Sequence, residues 1–95
     1  MTIKLTAFIR RLQQRDGHLY VRLDRAQLQS AQLLHGTRVV MEIGGRVLLR
    51  GVIRTSGASP WVGPTEITSN AVHHAALKGA GYVYGDNVEA TVRRA

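Results

Sequence analysis

The chain has no cysteine, two prolines, one tryptophan and one phenylalanine. Without cysteine it has no disulfide scaffold, iron–sulfur cluster, thiolate zinc site or cysteine nucleophile. Acids are scarce as well, with six Asp and Glu against thirteen Lys and Arg and a net charge of +7. So few carboxylates leave little for paired acid–base chemistry, and each has an ordinary turn, cap or surface role. No apolar run exceeds about four residues, where a membrane span needs roughly 18. The start MTIKLTAFIRR alternates in polarity, where a signal peptide would be continuously apolar. The expectation is a cytoplasmic protein with no membrane partner. The 95 residues, 44% of them hydrophobic, suffice for one domain over residues 1–95 that buries about 64% of its unfolded surface.

Residues 2–12 set Ile3, Leu5, Ala7 and Ile9 in alternation with Lys4, Thr6, Phe8 and Arg10, the period of a half-buried strand. Asp16-Gly17 signals a hairpin, after which Leu19, Val21 and Leu23 alternate with His18, Tyr20 and Arg22. Asp24 suits a helix N-cap; Ala26, Leu28, Ala31, Leu33 and Leu34 follow near helical spacing, and Gly36 offers a stop. The period of two returns with Val39, Met41 and Ile43. A Gly44-Gly45 turn then leads into a strand with Val47, Leu49 and Ile53 on one face and Arg46, Leu48, Arg50, Val52 and Arg54 on the other. Residues 56–64, SGASPWVGP, predict an irregular loop with Trp61 folded over the core edge, and Glu66 to Thr68 regains extension. Ser69 or Asn70 caps a second helix closed by Gly79 and Gly81, and Gly85-Asp86 turns into a last strand with Val88, Ala90 and Val92 inward. The halves share the plan hairpin, helix, strand, without evident internal duplication.

Five or six such short strands cannot build a doubly wound parallel sheet, whose crossovers need longer connections. The expected fold is mostly β, a small closed antiparallel or mixed barrel with two short helices, because closure removes exposed strand edges.

The segments GHLYVRLDRAQL, VVMEIGGRVLLRGVI and YGDNVEATV, taken in that order, resemble a bacterial and archaeal family of small domains of unknown function. That resemblance spans roughly Ile3 to Val92 and implies a double-split β-barrel. AbrB-like regulators and MazE-like antitoxins share the architecture, and Gly85-Asp86-x-Val88 is similar to the glycine-aspartate-x-valine step of their barrels. The likeness implies no activity. AbrB-like barrels interleave two chains, which points to a homodimer, but this chain is about twice the size of an interleaved half, which favours a monomer.

A pI near 11.1 points to a polyanionic partner, nucleic acid first. Arg46, Arg50 and Arg54 recur every fourth residue on one strand face, about 13 to 14 Å apart, with Arg22 and Tyr20 on a neighbouring outward face to add a cation and a stacking surface. Arg10 and Arg11, with Arg15, Arg93 and Arg94, form secondary clusters. The bland alternative is a wet sheet face made soluble by arginine. A second functional reading is a protein-interaction or small-ligand module built on residues 56–64, with Trp61, Tyr82 and Tyr84 around a barrel mouth; such aromatics more often plug a barrel end. No cofactor or metal is expected: adjacent His73 and His74 point about 100° apart on a helix, so one packs on the barrel and the other faces water. Gly57-Ala58-Ser59-Pro60-Trp61 misses the nucleophile elbow, and Gly79-Ala80-Gly81 leads into a strand-like segment rather than a helix. No catalytic residues are assigned, and a non-enzymatic protein is expected.

Overall fold

The computed structural model describes residues 2–12, 17–55 and 59–95. Alternating segments form strands β1 (Ile3–Arg11), β2 (Leu19–Leu23), β3 (Arg38–Ile43), β4 (Val47–Arg54), β5 (Trp61–Gly63) and β6 (Asn87–Arg94), and helices α1 (Arg25–Ser30) and α2 (Asn70–Gly79) follow β2 and β5. The strands close into a barrel in the order β1-β2-β5-β4-β3-β6, every neighbouring pair antiparallel. Leu5, Ala7, Ile9, Val21, Met41, Ile43, Leu49, Ile53 and Val92 point inward and are buried, while Leu28, Leu33, Leu77 and Tyr82 from the helix segments complete the core. Fully burying an aliphatic side chain of this size stabilises by about 1.5–3 kcal/mol. No helix among the described residues is long and apolar enough to cross a membrane.

Three sequence expectations are corrected. Trp61 does not lie in an irregular loop: Trp61–Gly63 is β5, seated between β2 and β4 with Val62 opposite both Val21 and Ile53. Its prolines flank the strand instead of interrupting it, and the Pro60 carbonyl accepts from Leu23 N–H at 2.9 Å. Residues 66–68 are not extended, because Thr68 N–H returns to the Thr65 carbonyl in a turn. Helix α1 ends before Gly36, with Gln32 in the left-handed region at φ 56°. Arg15 and Asp16 of the first hairpin, and residues 56–58, lie outside the described residues.

The fourth correction concerns duplication. Pairings Leu5–Ala90, Ile9–Val21 and Met41–Val92 recur as Leu49–Met41, Ile53–Val62 and Ala90–Ile43. β1, β2 and β3 thus correspond to β4, β5 and β6 about a pseudo-two-fold axis that passes between β2 and β5 and between β3 and β6. Both helices end alike: Leu33 N–H donates to Leu28 O at 3.0 Å, and Tyr82 N–H to Leu77 O at 3.1 Å, the 6→1 bond of a Schellman motif. Gly36 N–H then reaches Ile53 O at 2.7 Å, and Gly85 N–H reaches Ile9 O at 2.9 Å, so each turn is bonded to the other half's strand. The repeat hides in sequence because the identical pairs, such as Leu5/Leu49, Ile9/Ile53, Val21/Val62, Leu28/Leu77 and Gly36/Gly85, are scattered and the connections between them differ in length.

The equivalent helix ends give a paired prediction. Gly81 at φ 89° occupies the position held by Gln32 in the first half. A side chain in left-handed backbone costs about 1–2 kcal/mol, offset in part by the extra chain entropy glycine loses. Urea unfolding is expected to show Gly81→Ala less stable by about 1–2 kcal/mol and Gln32→Gly more stable by up to about 1 kcal/mol.

Candidate nucleic-acid interface

The outward residues of β1, β2, β5 and β4 are set by register. Arg22 lies opposite Phe8 on one side and Trp61 on the other, and Trp61 lies opposite Arg54, so these four form a row across four strands. Arg10 is opposite Tyr20, further along β1 and β2. The Tyr20 and Trp61 rings meet edge to face, with centroids 5.8 Å apart and planes at 84°. The Arg10 guanidinium stands 5.4 Å from the Phe8 ring centroid and donates to Ile9 O at 2.9 Å. Arg22 donates to Ser59 Oγ. Arg54 folds over Gly63: a methyl there would sit 3.1 Å from Arg54 Cγ and Nε and 3.3 Å from Trp61 Cη2. The bare backbone at Gly63 is therefore the bed on which this guanidinium and indole rest.

The pseudo-two-fold relates Tyr20 to Trp61 and Arg10 to Arg54. Two aromatics flank the axis, each with an arginine on the outer neighbouring strand. Beside them, Phe8, Arg10, Arg22, Arg25, Ser59 and Pro60 line an open cleft of about 340 Å³. Asp24 also borders it, but its Oδ1 accepts from Gln27 N–H at 3.0 Å as the α1 N-cap. Among the described residues Arg10, Arg22 and Arg54 form no ion pair. Lys4–Glu89 and Arg38–Glu66, both 3.9 Å and exposed, lie elsewhere.

The other expected arginines hold other register positions. Arg46 sits in the turn at the far end of β4, about 27 Å of strand from Arg54, with its guanidinium 5.4 Å from the Tyr82 ring centroid. Arg50 flanks Val40 together with Arg93 on the β4–β3–β6 wall. Arg50 is four residues from Arg54 along β4, about 13 to 14 Å, and its register partner on β3 is Val40, whereas Arg54 is in register with Trp61. Arg11 stands 5.5 Å from the exposed Tyr84 ring, and Arg94 donates to Gln32 O at 2.8 Å. Trp61, Tyr82 and Tyr84 do not share a pocket: Tyr82 plugs a barrel end, 7% exposed, with its hydroxyl 3.4 Å from Ile43 O, Tyr84 is exposed, and Trp61 stands on the outer wall. The strand alternation of W-V-G between two prolines was the one sequence signal that could have put Trp61 there.

Both histidines of the pair touch the barrel. His73, 2% exposed, donates from Nε2 to Arg50 O at 2.8 Å. His74 accepts Leu19 N–H at Nδ1, 3.0 Å, and stacks on His18 at 4.9 Å. The expected wet histidine is instead half-buried. The cause is the shortness of β5, which pairs with β4 only from Val52 onward and leaves edge groups for α2 to satisfy. On the pseudo-equivalent edge, Gln27 Oε1 accepts Thr6 N–H at 2.9 Å. Among the described residues no group of three or more His, Asp or Glu is arranged to hold a metal ion.

Comparison with family models, curated proteins and solved structures gives no match to this chain.

His73→Ala removes the partner of the Arg50 carbonyl and a side chain only 2% exposed beneath α2. Denaturant unfolding is expected to show a loss of about 2–4 kcal/mol, against about 1 kcal/mol or less for the more exposed His74→Ala. Equal losses would mean that the Arg50 contact does not anchor the helix.

Proposed function

We propose that this protein is a non-enzymatic nucleic-acid-binding barrel whose contact surface is the outer wall of β1, β2, β5 and β4. The observation that carries the reading is the cluster Arg10–Tyr20–Trp61–Arg54, completed by Arg22: three cations with no ion pair among the described residues, around two half-buried aromatic rings. Arginine neutralises phosphate with a planar fork of donors, and an adjacent ring offers a surface to a base. The net charge of +7 supplies long-range attraction to a polyanion. The likeness of the Gly85-Asp86 step to AbrB- and MazE-like barrels supports the reading by analogy of fold alone. Arg46, Arg50 and Arg11 contribute to the overall field without contacting the same ligand segment.

The test is a fluorescence-anisotropy titration of labelled oligonucleotides at several salt concentrations. With three phosphate contacts, log affinity should fall against log salt with a slope of about −2 for a single strand or about −2.7 for a duplex. The double variant Arg10→Ala, Arg54→Ala is expected to lose at least about tenfold in affinity and to flatten the slope by about 1.4–1.8. Arg46→Ala, Arg50→Ala should lose no more than about twofold, the share owed to net charge. Binding that is absent at low salt, or equally weakened by both double variants, overturns the assignment of this wall.

A further inference from the structure

We infer that the ligand of this wall is a single strand with unpaired bases, DNA or RNA, rather than a duplex. The inference rests on the nucleic-acid reading above and narrows it. Two rings occupy the centre of the charged cluster, and the cations flank them. Arg10 and Arg54 stand on strands three spacings apart, about 14 Å, with Tyr20 and Trp61 on the two strands between. A duplex hides its base faces in the stack and turns phosphates and base edges outward, so the rings would meet sugar and backbone where they have least to offer. An unpaired base presents a face to them.

The ring geometry sharpens the choice. Because the Tyr20 and Trp61 planes lie at 84°, two bases stacked one on each ring are turned nearly perpendicular to one another. Neighbouring bases of a duplex are parallel and cannot do this. A flexible single strand can splay its bases, as sequence-specific and non-specific single-strand binders commonly require.

The scaffold points the same way. Phe8, Arg22, Trp61 and Arg54 lie on strands in the wall of a small closed barrel, with overall extents of 32 × 27 × 26 Å. Entry into a major groove calls for a helix or a two-stranded ribbon that fits inside it, and these four side chains sit on no such projection. A single strand can instead drape across a convex wall, its phosphates reaching Arg10, Arg22 and Arg54 while bases turn inward to the rings. Stacking accepts any base face, so little sequence preference is expected.

Trp61 is the chain's one tryptophan, so its emission reports directly on stacking at the centre of the cluster. The whole protein is titrated at low salt with a thymidine oligonucleotide, a uridine oligonucleotide and a mixed-sequence duplex of the same length. Binding is read by anisotropy and by Trp61 emission. At least one single strand is expected to quench Trp61 and to bind about tenfold or more tighter than the duplex, and the difference between the two single-strand arms identifies DNA or RNA. Tyr20→Leu, with its fold checked by circular dichroism, should lower single-strand affinity about five- to tenfold and leave duplex affinity unchanged. Should Tyr20→Leu fail to fold, Trp61→Leu read by anisotropy carries the same expectation. A duplex bound as tightly as either single strand, without change in Trp61 emission, overturns this inference and leaves the nucleic-acid reading standing. Binding to none of the three overturns the nucleic-acid reading itself.

Discussion

Val62 is the keystone of the molecule. One buried valine, opposite Val21 on one side and Ile53 on the other, closes the ring of strands through a segment only three residues long. Such a short strand cannot satisfy the full edges of its neighbours. The stretch of β4 left unpaired by β5, and the stretch of β1 that the five-residue β2 leaves unpaired in the same way, turn to helix side chains: His73 meets the Arg50 carbonyl, and Gln27 takes the Thr6 N–H. Each helix is thus a working part of the barrel wall, which gives the buried His73 a structural partner. An unpaired edge group in the same place would cost about 1–3 kcal/mol, enough to matter in a domain this small.

Closure through β5 also decides what the outer wall presents. Alternation along the strand sends Val62 inward, so Trp61 must point outward, where it meets Tyr20 and comes between Arg22 and Arg54. At the next outward position, Gly63 withholds a side chain, and Arg54 and Trp61 settle into the space. The pseudo-two-fold repetition then sets Arg10 beside Tyr20 as it sets Arg54 beside Trp61. A cluster of mixed cations and rings arises from two copies of one arrangement, brought face to face because the axis passes between β2 and β5.

The interlock between halves follows from the same repetition. Gly36 bonds to Ile53 and Gly85 to Ile9, so each half's turn, closed within itself by Thr37 N–H to Leu34 O and Asp86 N–H to Val83 O, is also tied to the other half's strand. Thr37 and Asp86 carbonyls complete the exchange by accepting from Ile53 and Ile9 N–H groups. This reciprocity couples the two halves through backbone groups that any sequence would carry, which is why so little residue identity is needed to maintain it.

The alternation of Ile3 to Ile9, Leu19 to Leu23 and Val39 to Ile43, the Asp24 and Ser69 caps and the Gly44-Gly45 turn were all legible from residue order. Each depends on neighbours a few positions away, where backbone geometry and side-chain period leave little choice. From them followed the closed, mostly antiparallel barrel and the inward set of side chains. Residue order alone did not disclose that W-V-G would pair between β2 and β4, that Gln32 would end α1, or that Trp61 would stand in register between Arg22 and Arg54. Those outcomes are settled by which distant segments meet, and by a register that gathers residues from four strands into one row. Local periodicity determined the elements; the register around the closed ring decided the surface.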